Sequence, residues 1–153
     1  MENIANIKQY IILRKDAKTV TGEPVSANKL AVMTSHASMA FISNNIRNNA
    51  TKQEDGTYKV DFNVDEDIFE NWFNDAFTKV LLKAKNLNDL KKAVERAKEI
   101  GLEEGKDFFC IKDNCYTELL PDDGEKTCFI AIGFRPMDIE KLKPVTKKYQ
   151  LYK

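Results

Sequence analysis

The chain is short of the residues that most readily declare a chemistry. Its 153 residues include one histidine, one tryptophan, three cysteines, six glycines and four prolines. Cys110, Cys115 and Cys128 are an odd number without paired metal-type spacing, and one imidazole adds little, so no structural zinc site is expected. Reduced thiols in a cytoplasmic protein are the ordinary reading of such cysteines. No apolar run reaches the roughly 18 residues that a membrane span requires. Met1 to Gln9 lacks the basic start and long apolar stretch of a secretion signal. Excess charge is absent too: 24 basic residues balance 24 acidic ones. Bulk electrostatics therefore does not mark a nucleic-acid binder, and local patches would have to supply that property.

What is present is an alternation of strand and helix patterns, at a length suited to one domain spanning residues 1–153. Gln9 to Arg14 is a short apolar run with the pattern of a buried strand, and a loop with Gly22 and Pro24 follows it. Thr78 to Ala84, Asp107 to Lys112 and Thr127 to Gly133 predict three more core strands. Between them, Asn86 or Asn88 caps a helix whose Leu87, Leu90, Val94, Ala97 and Ile100 keep helical spacing up to a stop at Gly101. A short helix is predicted to open at Pro136 and run to about Leu142. The expected fold is therefore α/β, a three-layer α/β/α arrangement around a small four-stranded mixed sheet. Tyr58, Val60, Phe62 and Val64 alternate with polar residues, predicting a half-buried strand or an extended arm.

The segment from Ala27 to Phe41 carries most of the chemical interest. Ser26 or Asn28 can cap a helix here, predicted to fade in the asparagine-rich stretch from Asn44 to Asn49. At about 100° per residue, Lys29, Met33, His36 and Ala40 share one narrow stripe. Ala31, Ser35, Ala37, Ser38 and Ala40 make most of the rest small, so this helix can approach another backbone closely.

Several separated pieces, taken in order, carry a family resemblance. They are the first strand, the core Lys29, Ala31, Ser35, His36 and Ala37, and the Trp72 helix leading to Lys79-Val80. The Leu-x-x-Leu helix closing on Gly101-Leu102, the loop Asp113-Asn114-Cys115-Tyr116-Thr117-Glu118 with Pro121, the Ala131-Ile132-Gly133 strand end and the terminal Leu151-Tyr152 complete the set. Together they resemble the type 2 peptidyl-tRNA hydrolases over nearly the whole chain. Residues of about 49–67 look like an insertion relative to the compact family pattern.

The resemblance implies a cytoplasmic enzyme, often a homodimer. Such an enzyme hydrolyses the ester between a peptide and the 3′-terminal ribose of tRNA with no metal or other cofactor. It implies catalytic positions at Lys29, His36, Asp113 and Thr117, and a further hydroxyl at Thr127. Met33 stands where the family usually has glutamine, Cys115 where it has glycine, and Tyr116 where it often has a basic residue. A thioether is a poor substitute for an amide, and a cysteine at a left-handed glycine position is strained.

Ester hydrolysis needs an activated water, a grip on the oxyanion and a hold on the RNA end. Asp113 suits the first of these tasks, Lys29 near a helix start suits the second or a phosphate, and Thr117 can position either. Lys29 and Asp113 can equally form a plain salt bridge. Cys115 is a less favoured candidate nucleophile. Lys8, Arg14, Lys15, Lys18 and Lys29, with Arg135, Lys141, Lys143, Lys147 and Lys148, could form a basic side for tRNA, with Arg14, Lys18, Met33 and Thr127 as the substrate-binding positions. Acidic residues gather instead between Glu54 and Asp75. A non-catalytic RNA- or protein-binding module on the same fold is the alternative.

Overall fold

The computed structural model describes residues 5–153; the first four residues of the Met1–Gln9 segment lie outside the described part. The order of elements is β1 (Ile7–Arg14), α1 (Ala27–Asn48), β2 (Ala50–Lys52), β3 (Tyr58–Val60) and α2 (Glu66–Ile68), which continues as a wider π turn over Phe69–Phe73. Then come β4 (Lys79–Ala84), α3 (Leu87–Glu99), β5 (Phe108–Asp113), β6 (Cys128–Phe134), β7 (Met137–Asp138), α4 (Ile139–Thr146) and β8 (Gln150–Leu151). The main sheet runs β5-β6-β1-β4-β8, with β7 pairing alongside the start of β1.

The α/β class and mixed sheet are as expected, but among the described residues the sheet has six strands rather than four. The two additions, β7 and β8, are two-residue strands, too short to carry a period-two signal. For the same reason Pro136 does not open a helix: Met137 and Asp138 first pair with Lys8 and Ile7, and α4 starts at Ile139.

Strands β1 and β4 are parallel, while β6 is antiparallel to both β1 and β5. Thus β1, β4 and β5 all point the same way, ending at Arg14, Ala84 and Asp113. Helix α1 covers one face over β5, β6 and β1, and α3 and α4 cover the other. Ile12, Leu82, Leu90, Phe108, Phe134 and Leu142 fill the α3/α4 side. Ile11, Leu13, Met33, Ala37, Ile130 and Ala131 fill the α1 side. Among the described residues no helix is long and apolar enough to cross a membrane.

Each long helix has the ends its sequence provides. Ser26 caps α1, its Oγ accepting from the Lys29 amide at 3.1 Å. Asn86 caps α3 in the same manner, accepting from the Asp89 amide at 2.8 Å. Gly101, at φ 87°, reverses the chain so that the Leu102 amide reaches the Ala97 carbonyl at 3.0 Å. Helix α1 ends at Asn48, within the asparagine-rich stretch where it was expected to fade. Asn45 and Asn49 donate their side-chain amides back to Phe41 and Asn45 carbonyls, and Asn44 reaches the Gly105 carbonyl, so the helix runs to Asn48.

The 49–67 segment contains a hairpin of its own. β2 and β3 pair with each other, and their residues are almost wholly exposed rather than half-buried.

Candidate active site

The small residues of α1 decide where its first turn stands. A Cβ added to Gly133 of β6 would lie 2.0 Å from the Ala37 carbonyl oxygen, so the helix backbone rests directly on the strand. Fully buried Gln9 fixes the rotation. Its Nε2 donates to the Ser38 carbonyl at 2.8 Å, and Ser38 Oγ donates to its Oε1 at 2.7 Å. Held in this way, the start of α1 sits beside the end of β5.

There the Lys29 ammonium meets the Asp113 carboxylate, Nζ to Oδ2 2.6 Å, with both side chains largely buried. The other carboxylate oxygen, Oδ1, accepts from the Cys115 amide at 2.8 Å. Cys115 adopts φ 63°, the left-handed conformation that glycine takes without strain. The turn that presents Asp113 therefore keeps a glycine-like backbone with a cysteine in it. Burial and the neighbouring Asp113 charge push the Cys115 thiol upward, and burial with Asp122 pushes Cys128 up to about 12. A thiol pushed upward forms the reactive thiolate less readily, which argues against Cys115 as a nucleophile.

Two loops close around this pair. Strand-like hydrogen bonds zip residues 18–20 to 118–120: the Val20 amide donates to the Glu118 carbonyl at 3.0 Å and the Leu120 amide to the Lys18 carbonyl at 2.8 Å. Glu118 then reaches the start of α1, its carboxylate accepting from the Ser26 amide at 2.5 Å and from Ser26 Oγ at 2.8 Å. Those two hydrogen bonds hold the Glu118 carboxyl below its usual range. Pattern reading missed Glu118 as a functional position; its signal is an acid in the loop that faces a capping serine.

Arg14 is buried and engaged. Its Nε lies 2.7 Å from Asp16 Oδ1 and its Nη1 2.7 Å from Asp122 Oδ1, and it also donates to the Phe129 carbonyl. Burial acts to lower its pKa, and the two carboxylate hydrogen bonds outweigh that and raise it. With Asp122 accepting from the Phe129 amide, Arg14 clamps the far end of the loop instead of facing solvent. Asp122 is a second residue that pattern reading passed over.

The remaining expected positions divide. Thr117 is exposed on the loop immediately before Glu118, and Lys18 is exposed on the facing loop. Thr127 is half-buried just ahead of β6, its carbonyl accepting from the Asp122 amide at 3.0 Å. His36 is exposed on α1, seven residues past Lys29 and thus about 10 Å along the axis, so it is not brought to the ion pair. Met33 is 4% exposed and packs in the α1-side core, offering the site no polar group. Lys8 belongs to the opposite end of the sheet, where it pairs with Met137.

A model of the peptidyl-tRNA hydrolase PTH2 family matches residues 7–152. The chain belongs to that family. A search of the curated proteins finds no match. Within the PTH2 frame, the ion pair lies where open α/β sheets commonly bind ligands, beyond the carboxyl ends of the parallel strands.

Proposed function

We propose that this PTH2-family chain hydrolyses the ester between a peptide, or an N-blocked amino acid, and the 3′ end of tRNA, and does so in the cytoplasm. The meeting of Lys29 and Asp113 at 2.6 Å, between the first turn of α1 and the end of β5, carries the reading. An ammonium has three donors and a carboxylate about four acceptor positions. Their mutual contact and the Cys115 amide therefore leave capacity on both groups for substrate and water. In this reading Asp113, held by the Cys115 amide, orients the attacking water and takes its proton. Lys29 turns one donor to the developing oxyanion, and Thr117 steadies the water or the ribose end. His36 contributes at the rim, not in the reacting cluster.

The test is release of free tRNA from an N-blocked aminoacyl-tRNA. Native protein should cleave it, and Lys29→Ala and Asp113→Ala should each lose about 10²–10⁴-fold while staying folded. A folded native protein with no cleavage above background sinks this reading. The second reading, a non-catalytic RNA- or protein-binding module, has one observation in its favour: the position one turn after Lys29 is a methionine turned into the core.

A further inference from the structure

Beside the ion pair, across the zipped segment 118–120, lies a second opening that the proposed hydrolysis does not use. It is a cavity of about 600 Å³ whose walls include Lys15, Lys18 and Lys85, with Asp16, Glu23 and Leu120. Lys15 follows β1 and Lys85 follows β4, so two neighbouring parallel strands deliver ammonium groups to the same end of the sheet. Their backbones are fixed. The Lys15 amide donates to the Ala84 carbonyl at 2.9 Å, and the Lys85 amide donates to Asp89 Oδ2 at 2.9 Å. Of the two acids in the cavity wall, Asp16 is engaged by Arg14, so Glu23 is the lining carboxylate without that ion pair facing three ammonium groups.

The rest of the molecule sharpens this contrast. Residues 49–75 contain eight acidic and two basic side chains. They begin at the far end of α1, whose 22 residues span about 33 Å. The neutral total thus conceals an acidic end and a cationic cavity at the other. The lysine end also holds the acids of the 113–125 loop. Asp113 is paired with Lys29, Asp122 with Arg14, and Glu118 is bonded to Ser26, so the attraction for a phosphate lies in the cavity and not in that end as a whole.

We propose that Lys15, Lys18 and Lys85 form a cradle for a backbone phosphate of the bound tRNA, next to the ester-cleaving pair. Lys85, from the end of the neighbouring strand, is the new member; Lys15 and Lys18 already stand on the expected basic side. Like the proposed function, the inference depends on tRNA as the substrate. The cradle supplies grip without chemistry, so its residues govern KM and salt sensitivity and leave kcat alone.

The experiment is equilibrium binding of deacylated tRNA to the full chain across about 50–300 mM salt, for native protein, Lys15→Ala, Lys85→Ala and Lys141→Ala. Lys141, expected on the basic side from the sequence, instead lies beside Asp65, Glu66 and Asp67 at the acidic end, and so serves as the control. Lys15→Ala and Lys85→Ala should each weaken binding several-fold at low salt. Each should also flatten the plot of log affinity against log salt by about 0.7–0.9 for every phosphate no longer neutralised. Lys141→Ala should change neither, and Lys85→Arg should retain the native slope. Native affinity and slope in both Lys15→Ala and Lys85→Ala overturn the cradle, as does an equal effect from Lys141→Ala. Binding and cleavage fail separately: intact slopes with normal cleavage sink only the cradle, whereas flattened slopes in a protein that never cleaves sink only the hydrolase.

Discussion

The two faces of the sheet are packed from different stock. Toward α3 and α4 the core is large and apolar, with Leu90, Phe108, Phe134, Leu142 and Val145 essentially sealed from solvent. Toward α1 the contact is thin: Gly133 lies under the Ala37 carbonyl, and the polar pair Gln9 and Ser38 is bonded twice across the interface. Large side chains contribute transfer free energy and tolerate small shifts of the helix they carry. Backbone laid on backbone contributes less area but fixes position, and position is what brings Lys29 to Asp113. One face mainly supplies stability, and the other mainly supplies registration of the site.

Four changes would break or sharpen that contrast. The largest loss of stability should come from Leu90→Ala, about 3 kcal/mol from the cavity it leaves, with kcat for tRNA release unchanged in the folded fraction. Denaturant unfolding together with single-turnover rates would check it, and a large drop in kcat would mean that the faces are not separable. Gly133→Ala should cost somewhat less, about 2–3 kcal/mol, yet reduce cleavage about 100-fold, because the added methyl pushes α1 and Lys29 off Asp113. Unchanged activity in that variant would contradict the registration argument.

The third concerns whether the faces unfold together. Asp107 accepts from Arg135 at 2.7 Å and from the Glu103 amide at 2.8 Å. Burial raises its pKa, but these bonds and charges more than compensate and hold it below the usual aspartate value. A carboxyl depressed in the folded state adds stability above its unfolded pKa of about 3.9, and that stability is lost as pH falls through the lower folded value. Stability should therefore fall below about pH 4, and Asp107→Asn should flatten that limb while lowering stability at pH 7. Coincident acid transitions by Trp72 fluorescence and circular dichroism would show one cooperative unit. Separate transitions would show that the α1 face lets go alone.

The smallest effect is expected at Cys115→Gly, a gain of about 1 kcal/mol from relieving the left-handed backbone, offset in part by the missing thiol packing. Thermal unfolding would measure it, and a clear loss of stability would show that the side-chain packing outweighs the strain.

What could be read in advance followed physical range. Period and caps are local, so the four long strands, a cap at Asn86 or Asn88 and the Gly101 stop were visible in the chain, and the structure selects Asn86. Two-residue strands carry little local signal, so β7 and β8 were not visible; the alternation from Tyr58 marked β3, but not its partner β2 or its exposure. The stripe of Lys29, Met33, His36 and Ala40 was correct as helical geometry, yet the helix rotates so that Met33 enters the core and His36 faces solvent. That rotation depends on Gly133 and Gln9, both on other strands.

Sequence alone thus determined the α/β alternation and the small-residue character of α1, which depend on residues near one another in the chain, and the family order of motifs, which needs only their succession along it. Tertiary structure alone decided that Lys29 touches Asp113, that Arg14 is a buried clamp, that Glu118 reaches Ser26, and that lysines from two strand ends share one cavity. Those pairings join residues dozens of positions apart, and their partners are chosen by packing and charge compensation in the folded sheet.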